Sequence, residues 1–259
     1  MEVPMKKSDV LCTQRTIDFA KQYYGQRKTL SGQALIDHCI LVARQAELIA
    51  QKLYQDVRVD FLPDSTKDSI AAIVHASLLH DVIQVSDCAF ENVAETTTVQ
   101  IAAMVADISR DFRLVETKRD MEFRGRVSQS PVGAQIIVAA DIICTAREAA
   151  KVLEANGITA VPAVKKILTQ LDGDLLAIYA ANRYYMLRLY VHAARNMLND
   201  ISQKIKECKH QAKTARHAAN SMQRLKEKLA AKANDKPTTV KKKRSVRYAK
   251  KRTADDDSQ

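Results

Sequence analysis

The sequence is poor in the residues that punctuate a chain. Six glycines and five prolines in 259 residues are too few for the turn-rich strands of a β sandwich and exclude a collagen-like repeat. Helix is the natural state of a chain so rarely interrupted. Its five cysteines, Cys12, Cys39, Cys88, Cys144 and Cys208, are odd in number, far apart and without a CxxC pair. That pattern argues against a disulfide framework or a zinc ribbon and for a reducing compartment. No apolar run approaches the roughly 18 residues that a membrane span needs, and the first residues lack the apolar core and cleavage site of a secretory signal. The expectation is a protein of the cytoplasm with no membrane span.

Positive charge is in excess, with 41 Lys and Arg against 30 Asp and Glu, and the excess has one location. Residues 202–259 hold 18 of the basic and 6 of the acidic side chains, a net of +12, whereas residues 1–201 hold 23 and 24. A near-neutral body with a basic appendage predicts an acidic partner for the appendage, a nucleic acid or another polyanion reached through residues 202–252. Aromatic interleaving is confined to Tyr248, so base stacking on single strands is not indicated.

Apolar residues recur at helical spacing from Ile17 to Ala20 and from Ala34 to Leu53, either side of a loop between Gly25 and Gly32. Residues 57–68, with Pro63 and Asp64, read as a loop that ends at a helix start. From 70 to 83 nearly every residue is apolar, which predicts a helix buried all round. An amphipathic helical pattern follows from Phe90 to Glu122. Ser130-Pro131 then opens the run Ile136-Ile137-Val138-Ala139-Ala140-Asp141-Ile142-Ile143-Cys144, where periodicity leaves a buried strand and a buried helix both open. Helix is favoured because the run continues unbroken into Thr145–Glu154 and has no second strand to pair with. After the Asn156-Gly157 turn a helix is predicted from Pro162 to Gln170 and a longer one from about Asp174. The latter carries a seam at Ile201, Ile205, Cys208, Ala212, Ala215, Ala219 and Met222, spaced as in a helix pair and so compatible with a homo-oligomer. Residues 236–259, blocks of like charge, read as a disordered tail. The predicted organisation is a body of residues 1–200, a basic helical extension at 201–235 and the tail.

Within this frame His80-Asp81 closes one apolar run and Asp141 interrupts another. A carboxylate buried without a partner costs several kcal/mol, and neither run contains a Lys or Arg. A divalent metal satisfies both acids at once, with imidazole and carboxylate ligands that suit Mn, Fe or Zn. The alternative is that each acid is capped by backbone amides or by a distant Arg, and His80 is a core histidine. His75 faces elsewhere on the helix and reads as a satisfied core histidine. His192, His210 and His217 are not assigned to the metal, and the last two read as solvated.

Three ordered blocks resemble the hydrolase domain of the RelA/SpoT family and its small single-domain relatives. That domain is an HD-type domain that removes the 3′-pyrophosphate of (p)ppGpp. Arg27-Lys28-Thr29-Leu30-Ser31-Gly32-Gln33-Ala34-Leu35-Ile36-Asp37-His38 stands in the place of a loop of the form R/K-K-x-x-x-G-x-P-Y-I/L-x-H-P. Ala76-Ser77-Leu78-Leu79-His80-Asp81-Val82-Ile83 matches A-A-x-L-H-D-x-V/I, and Ser130-Pro131 through Ala140-Asp141 matches S-P-x-A-x-x-V/I-x-x-A-D. The resemblance spans roughly residues 16–195. It implies an all-α HD-domain bundle, a single divalent metal, most often Mn, on His38, His80, Asp81 and Asp141, and a phosphorylated nucleotide as substrate. Arg27 and Lys28 match the basic pair that faces the nucleotide, and Thr145 stands where the family has a substrate-facing Asn. Two departures stand out. Gln84-Val85 replaces the family's Glu-Asp pair, which serves acid–base chemistry, and Ala34-Leu35 and Cys39 replace the Pro-Tyr and Pro of the first loop. The catalytic acid is therefore unassigned. The rival expectation is a catalytically silent HD fold that works as a binding or regulatory module through its basic C-terminus.

Overall fold

The computed structural model describes residues 7–55, 69–181 and 185–234. The predicted loop at 57–68 and the predicted tail at 236–259 lie outside the described residues. By its contacts the chain divides into two units, Met1–Ala212 and Lys213–Gln259. Among the described residues there is no strand, only a single antiparallel bridge between Lys28 and Ala34. No helix is long and apolar enough to cross a membrane among the described residues.

The first unit begins with α1 (Lys7–Tyr24) and α2 (Leu35–Gln55). Their connecting loop turns at Gly32, whose φ of 83° is open to glycine and strained for other residues. On α2 the side chains of Leu35, Cys39, Val42, Ala43, Ala46, Ile49, Ala50 and Leu53 are buried, spaced three and four apart as one face of a helix requires. α3 (Ile70–Leu78) starts at Ser69, whose hydroxyl accepts the Ala72 N–H at 3.1 Å, a cap that satisfies one of the helix's orphan donors.

Here the chain departs from expectation. The apolar run 70–83 is not one helix: α3 stops at Leu78, residues 79–81 form a turn, and the short α4 (Val82–Val85) resumes. The single amphipathic stretch predicted over 90–122 is likewise three helices, α5 (Phe90–Thr96), α6 (Val99–Ile108) and the start of α7 (Glu116–Gln129). Thr98 caps α6 by accepting the Ile101 N–H at 3.2 Å.

The ambiguous run at 134–144 lies inside α8 (Val132–Asn156), almost wholly buried from Val132 to Ala146. Its helical period is hard to read because nearly every side of the helix is covered: α2, α3, α6, α7 and α9 all pack against it. Gly157, at φ 54°, ends it and leads into a turn of 3-10 helix at Gly157–Ala160. The helix α9 (Val161–Ala181) then passes straight through 171–174, so the predicted boundary near Asp174 is wrong. Gly173 does not break α9; a Cβ there would collide with the Arg124 guanidinium, so the glycine makes room for a neighbour.

α10 (Tyr185–Asn234) buries Leu187, Val191, Ala194, Leu198, Ile201 and Ile205 in the core of the first unit. The predicted pairing seam is thus divided in role: Ile201 and Ile205 belong to the body's own core, whereas Ala215, Ala219 and Met222 are exposed. In the described part of the second unit, positions 213–232 are all exposed.

Candidate metal centre

Three segments meet at the centre of the first unit. The first turn of α2 carries His38 and Cys39, the turn between α3 and α4 carries His80 and Asp81, and the middle of α8 carries Asp141. Thr145 and Glu148 follow Asp141 by four and seven residues and so lie on the same face of α8.

The break in the buried run is what aims the HD pair. Where α3 ends, the Leu79 N–H bonds to the Ala76 carbonyl, and the Ser77 carbonyl accepts the His80 Nδ1–H at 2.8 Å. A C-terminal carbonyl that lacks a helical partner is satisfied in this way. The same bond commits Nδ1 as a donor and leaves Nε2 on the side of the acids. His80 Nε2 lies 3.6 Å from Asp81 Oδ2 and 3.8 Å from Asp141 Oδ1, beyond hydrogen-bonding range. It is buried and has no hydrogen-bond partner. Burial by itself would depress the His80 pKa, but the Asp81 and Asp141 carboxylates, with the Ser77 carbonyl, outweigh it and hold the group above its ordinary value.

His38 Nε2 sits 3.1 Å from Asp141 Oδ1, which also accepts the Thr145 hydroxyl at 3.0 Å. Burial raises the Asp141 pKa, yet the His38 hydrogen bond, the charges of His80 and His38 and the Thr145 hydroxyl together bring it down to about 2. The carboxylate keeps a third of its side chain exposed, and Asp81 about a sixth. Neither acid is therefore the isolated buried charge that the apolar runs led one to expect; histidines, a threonine and a glutamine amide surround them.

That glutamine is Gln84. Its Nε2–H donates to Asp81 Oδ1 and its Oε1 accepts the Arg110 backbone N–H at 3.0 Å. Both ends of the amide are engaged, so its orientation is defined by its neighbours. Val85 packs against the core.

Among the described residues two groups of side chains are spaced to hold an ion: His38, His80 and Asp141, and Cys39, His80 and Asp81, each with ligand atoms within 4.8 Å of one another. The imidazole of His80 is common to both. His80 thus joins His38 and Asp141 in one group and Cys39 and Asp81 in the other. Burial, followed by the charge of Asp81, pushes the Cys39 thiol well above its usual pKa. The donor set of two imidazoles and two carboxylates suits a borderline divalent ion, and the orphaned His80 Nε2 is the coordinating atom such an ion would use.

Sequence reasoning overlooked Glu148. Its Oε1 accepts the Ser31 N–H at 3.1 Å and the hydroxyls of Thr29 and Ser31, while Oε2 lies 3.7 Å from His38 Nδ1. It pins the loop before α2 to α8 and faces the far side of the His38 ring. Arg27 and Lys28, in that loop, are exposed. The Arg27 guanidinium donates to the Tyr23 and Tyr24 carbonyls at 2.9 and 3.3 Å, closing the end of α1. Other histidines stand apart: His75 Nδ1 is 2.7 Å from Thr16 Oγ1, His192 stacks edge-on against Tyr179, and His210 and His217 are exposed.

His80, Asp81 and Asp141 line a cavity of about 160 Å³ together with Arg110, Arg119 and Phe112. Arg27, Lys28 and Thr145 are not part of its lining.

No protein-family model matches the sequence, and no curated protein matches it. Among solved structures the chain is similar to a metazoan ortholog of SpoT, which hydrolyses ppGpp and plays a role in starvation responses. The match covers 74% of this chain and 96% of that one, with a TM-score of 0.53 and 19% sequence identity. The fold is therefore the all-α HD-type bundle.

Proposed function

We propose that this protein is a metal-dependent phosphohydrolase of the HD type that acts on a phosphorylated nucleotide, with guanosine 3′,5′-bis(diphosphate) as the substrate most in keeping with its fold. One observation carries the reading. A buried imidazole nitrogen, His80 Nε2, has no hydrogen-bond partner and lies 3.6 Å from Asp81 and 3.8 Å from Asp141, the latter grouped with His38 as possible ligands. A divalent ion on His38, His80, Asp81 and Asp141, Mn before Fe or Zn, would give it one. When bound, such an ion supplies charge neutralisation for phosphoryl oxygens and lowers the pKa of water.

The chain's own groups prepare that site. The Ser77 carbonyl holds His80 in the tautomer that presents Nε2. Glu148 Oε2 lies 3.7 Å from His38 Nδ1, beyond hydrogen-bonding range, and its charge on that side of the ring leaves Nε2 to face the centre. Thr145 orients Asp141 and Gln84 orients Asp81. In this reading Thr145 acts on a ligand rather than on the substrate. Arg27 and Lys28 remain the cations of the loop over α2 and are assigned to phosphate.

Gln84 cannot exchange a proton as the Glu of the resembled pattern would. Proton transfer therefore falls to water or to the substrate, which lowers the rate without removing the electrostatic part of catalysis. The same residue is what favours the second reading, a silent HD fold serving as a binding module. The exposed cations of α10, among them Lys209, Lys213, Arg216, Arg224 and Lys228, support contact with a polyanion in either case.

Purified protein is assayed for bound metal and for release of pyrophosphate or phosphate from guanosine polyphosphates and common nucleotides in Mn²⁺, with Asp81→Ala as control. Metal-dependent turnover above that control is expected. Bound metal with no turnover leaves the binding-module reading standing, and absence of metal refutes the centre itself.

A further inference from the structure

Cys39 stands inside the centre without a role in it. His38 and Cys39 are consecutive in the first turn of α2, about 100° apart around the helix axis at 3.6 residues per turn. The two side chains therefore leave the helix in different directions, and each meets its own partners. His38 is grouped with His80 and Asp141, Cys39 with His80 and Asp81. Sulfur at this position has no counterpart in the resembled loop, which carries proline after its histidine.

Three observations meet at this cysteine. It is wholly buried and in no disulfide. Its Sγ, the His80 imidazole and an Asp81 oxygen all lie within 4.8 Å of one another. Bonds of about 2.3 Å from zinc to sulfur and about 2.0–2.2 Å to nitrogen or oxygen set neighbouring ligand atoms roughly 3.5 Å apart. His80 Nε2 and Asp81 Oδ2 are already 3.6 Å apart, so a small contraction closes the group on an ion. His80 itself is only 5% exposed and keeps Nε2 without a hydrogen-bond partner, a buried polar atom that calls for one. The thiol meets the Tyr24 hydroxyl, which donates to the Leu78 carbonyl at 3.0 Å. Thiols are weak hydrogen-bonding groups, so no strong bond has to break for the sulfur to take an ion.

We propose that Cys39 is a metal ligand and that, with His80 and Asp81, it forms a second cradle selective for a soft divalent ion, Zn²⁺ before Mn²⁺. Thiolate favours zinc, whereas manganese suits oxygen donors, so Mn²⁺ belongs to the two imidazoles and two carboxylates and Zn²⁺ to the group that contains sulfur. The ion deprotonates the thiol that coordinates it, and the proton passes to solvent. A neutral imidazole has one acceptor nitrogen. Zinc on Cys39 and manganese on His38 and Asp141 both need His80 Nε2, so the protein holds one ion or the other, and zinc competes with the ion that the hydrolase reading requires. The inference rests on that reading for the metal centre and not for the reaction.

The test uses Co²⁺, whose thiolate complexes show a sulfur-to-metal charge-transfer band in the near ultraviolet, as a probe of the full-length protein. The wild type should show the band, and each single Ser variant of the other four cysteines should keep it, which assigns the sulfur by elimination even where Cys39→Ser does not fold. Cys39→Ser should lose the band and bind Zn²⁺ at least about a hundredfold more weakly, beyond the roughly 10–100-fold cost of losing an outer-shell partner, with Mn²⁺ affinity by calorimetry unchanged. Zn²⁺ added to the Mn²⁺-loaded wild type should release one Mn²⁺ for each Zn²⁺ bound, read by the electron spin resonance of free Mn²⁺. Absence of the band from the wild type overturns the proposal. So does its survival in Cys39→Ser, its loss from a variant of another cysteine that still binds Mn²⁺, or Zn²⁺ and Mn²⁺ held together on one chain. Mn²⁺ binding without a cobalt–sulfur band leaves the metal centre standing and removes the sulfur alone; failure to bind any of the three ions refutes both.

Discussion

Replacing Gln84 with Glu restores the acid of the resembled pattern and probes the centre's electrostatics directly. In the metal-free protein Gln84 Nε2 donates to Asp81 Oδ1, a hydrogen bond to a charged group worth about 1.5–3 kcal/mol. Glu removes that donor and sets one carboxylate against another. At an effective dielectric of about 20, two such charges about 4 Å apart repel by roughly 4 kcal/mol. One of them escapes by taking a proton, and protonating a carboxyl of ordinary pKa about 4.3 at pH 7 costs about 3.7 kcal/mol. The cheaper route sets the penalty, so Gln84→Glu should destabilise the metal-free protein by roughly 2–4 kcal/mol at pH 7, a large share of a typical 5–15 kcal/mol. The sign with pH follows from the raised carboxyl: a group whose folded pKa lies above its unfolded value costs nothing below the unfolded pKa and progressively more above it. At pH 5 the protonation cost falls to about 1 kcal/mol. Urea unfolding in EDTA at pH 5 and pH 7 measures the difference, and Mn²⁺, by screening the two acids, should raise the melting temperature of Gln84→Glu more than that of the wild type. A variant as stable as the wild type at pH 7, or a penalty independent of pH, refutes the picture of Gln84 donating to an ionised Asp81.

His80→Gln removes the nitrogen left unpartnered at the centre, and Mn²⁺ affinity measured by calorimetry should fall on the order of a hundredfold, with comparable affinity counting against the ligand assignment. In the metal-free protein Asp141 is held at about 2 against an ordinary value of about 3.9. Its stabilisation is therefore present above pH 4 and lost as pH falls toward 2, about 1–2 kcal/mol after allowing for its exposure; Asp141→Asn should flatten that acid limb in a urea series. Gly173→Ala sets about 1 kcal/mol of helix propensity gained against displacement of Arg124 from Asp174, a charged contact of about 1.5–3 kcal/mol; the melting temperature should drop, and a rise would contradict the close approach. Truncation after Ala212, which spares the buried Ile201 and Ile205, should keep the folded body while removing salt-dependent binding to nucleic acid; binding that survives the cut assigns it elsewhere.

Much of the fold was legible because its information is local. Sparse glycine and proline, three-and-four spacing on α2 and an unbroken run across α8 required nothing beyond neighbouring residues, and the strand alternative for 134–144 fell for want of a partner strand. Helix ends were less legible. Leu78-Leu79-His80-Asp81-Val82 is as apolar before the break as after it, so hydrophobicity carries no sign of a turn produced by the Ser77 carbonyl bonding to an imidazole. At Gly173 the error ran the other way: a residue that usually marks a boundary instead accommodates an arginine from α7.

The sequence alone singled out His80, Asp81 and Asp141, an imidazole and two carboxylates set in apolar runs that call for a partner whatever the fold, and the family resemblance added His38. Only the tertiary structure decided who those partners are. His38 meets Asp141 across 103 residues of chain and Glu148 meets Ser31 across 117. Arg110 reaches Asp174 across 64. No local pattern encodes such contacts. Whether an arginine is held by two carboxylates, as Arg110 is, or keeps a buried Nε without a hydrogen bond, as Arg119 does, depends on which carboxylates packing brings within reach, and that is settled by the arrangement of helices rather than by the order of residues.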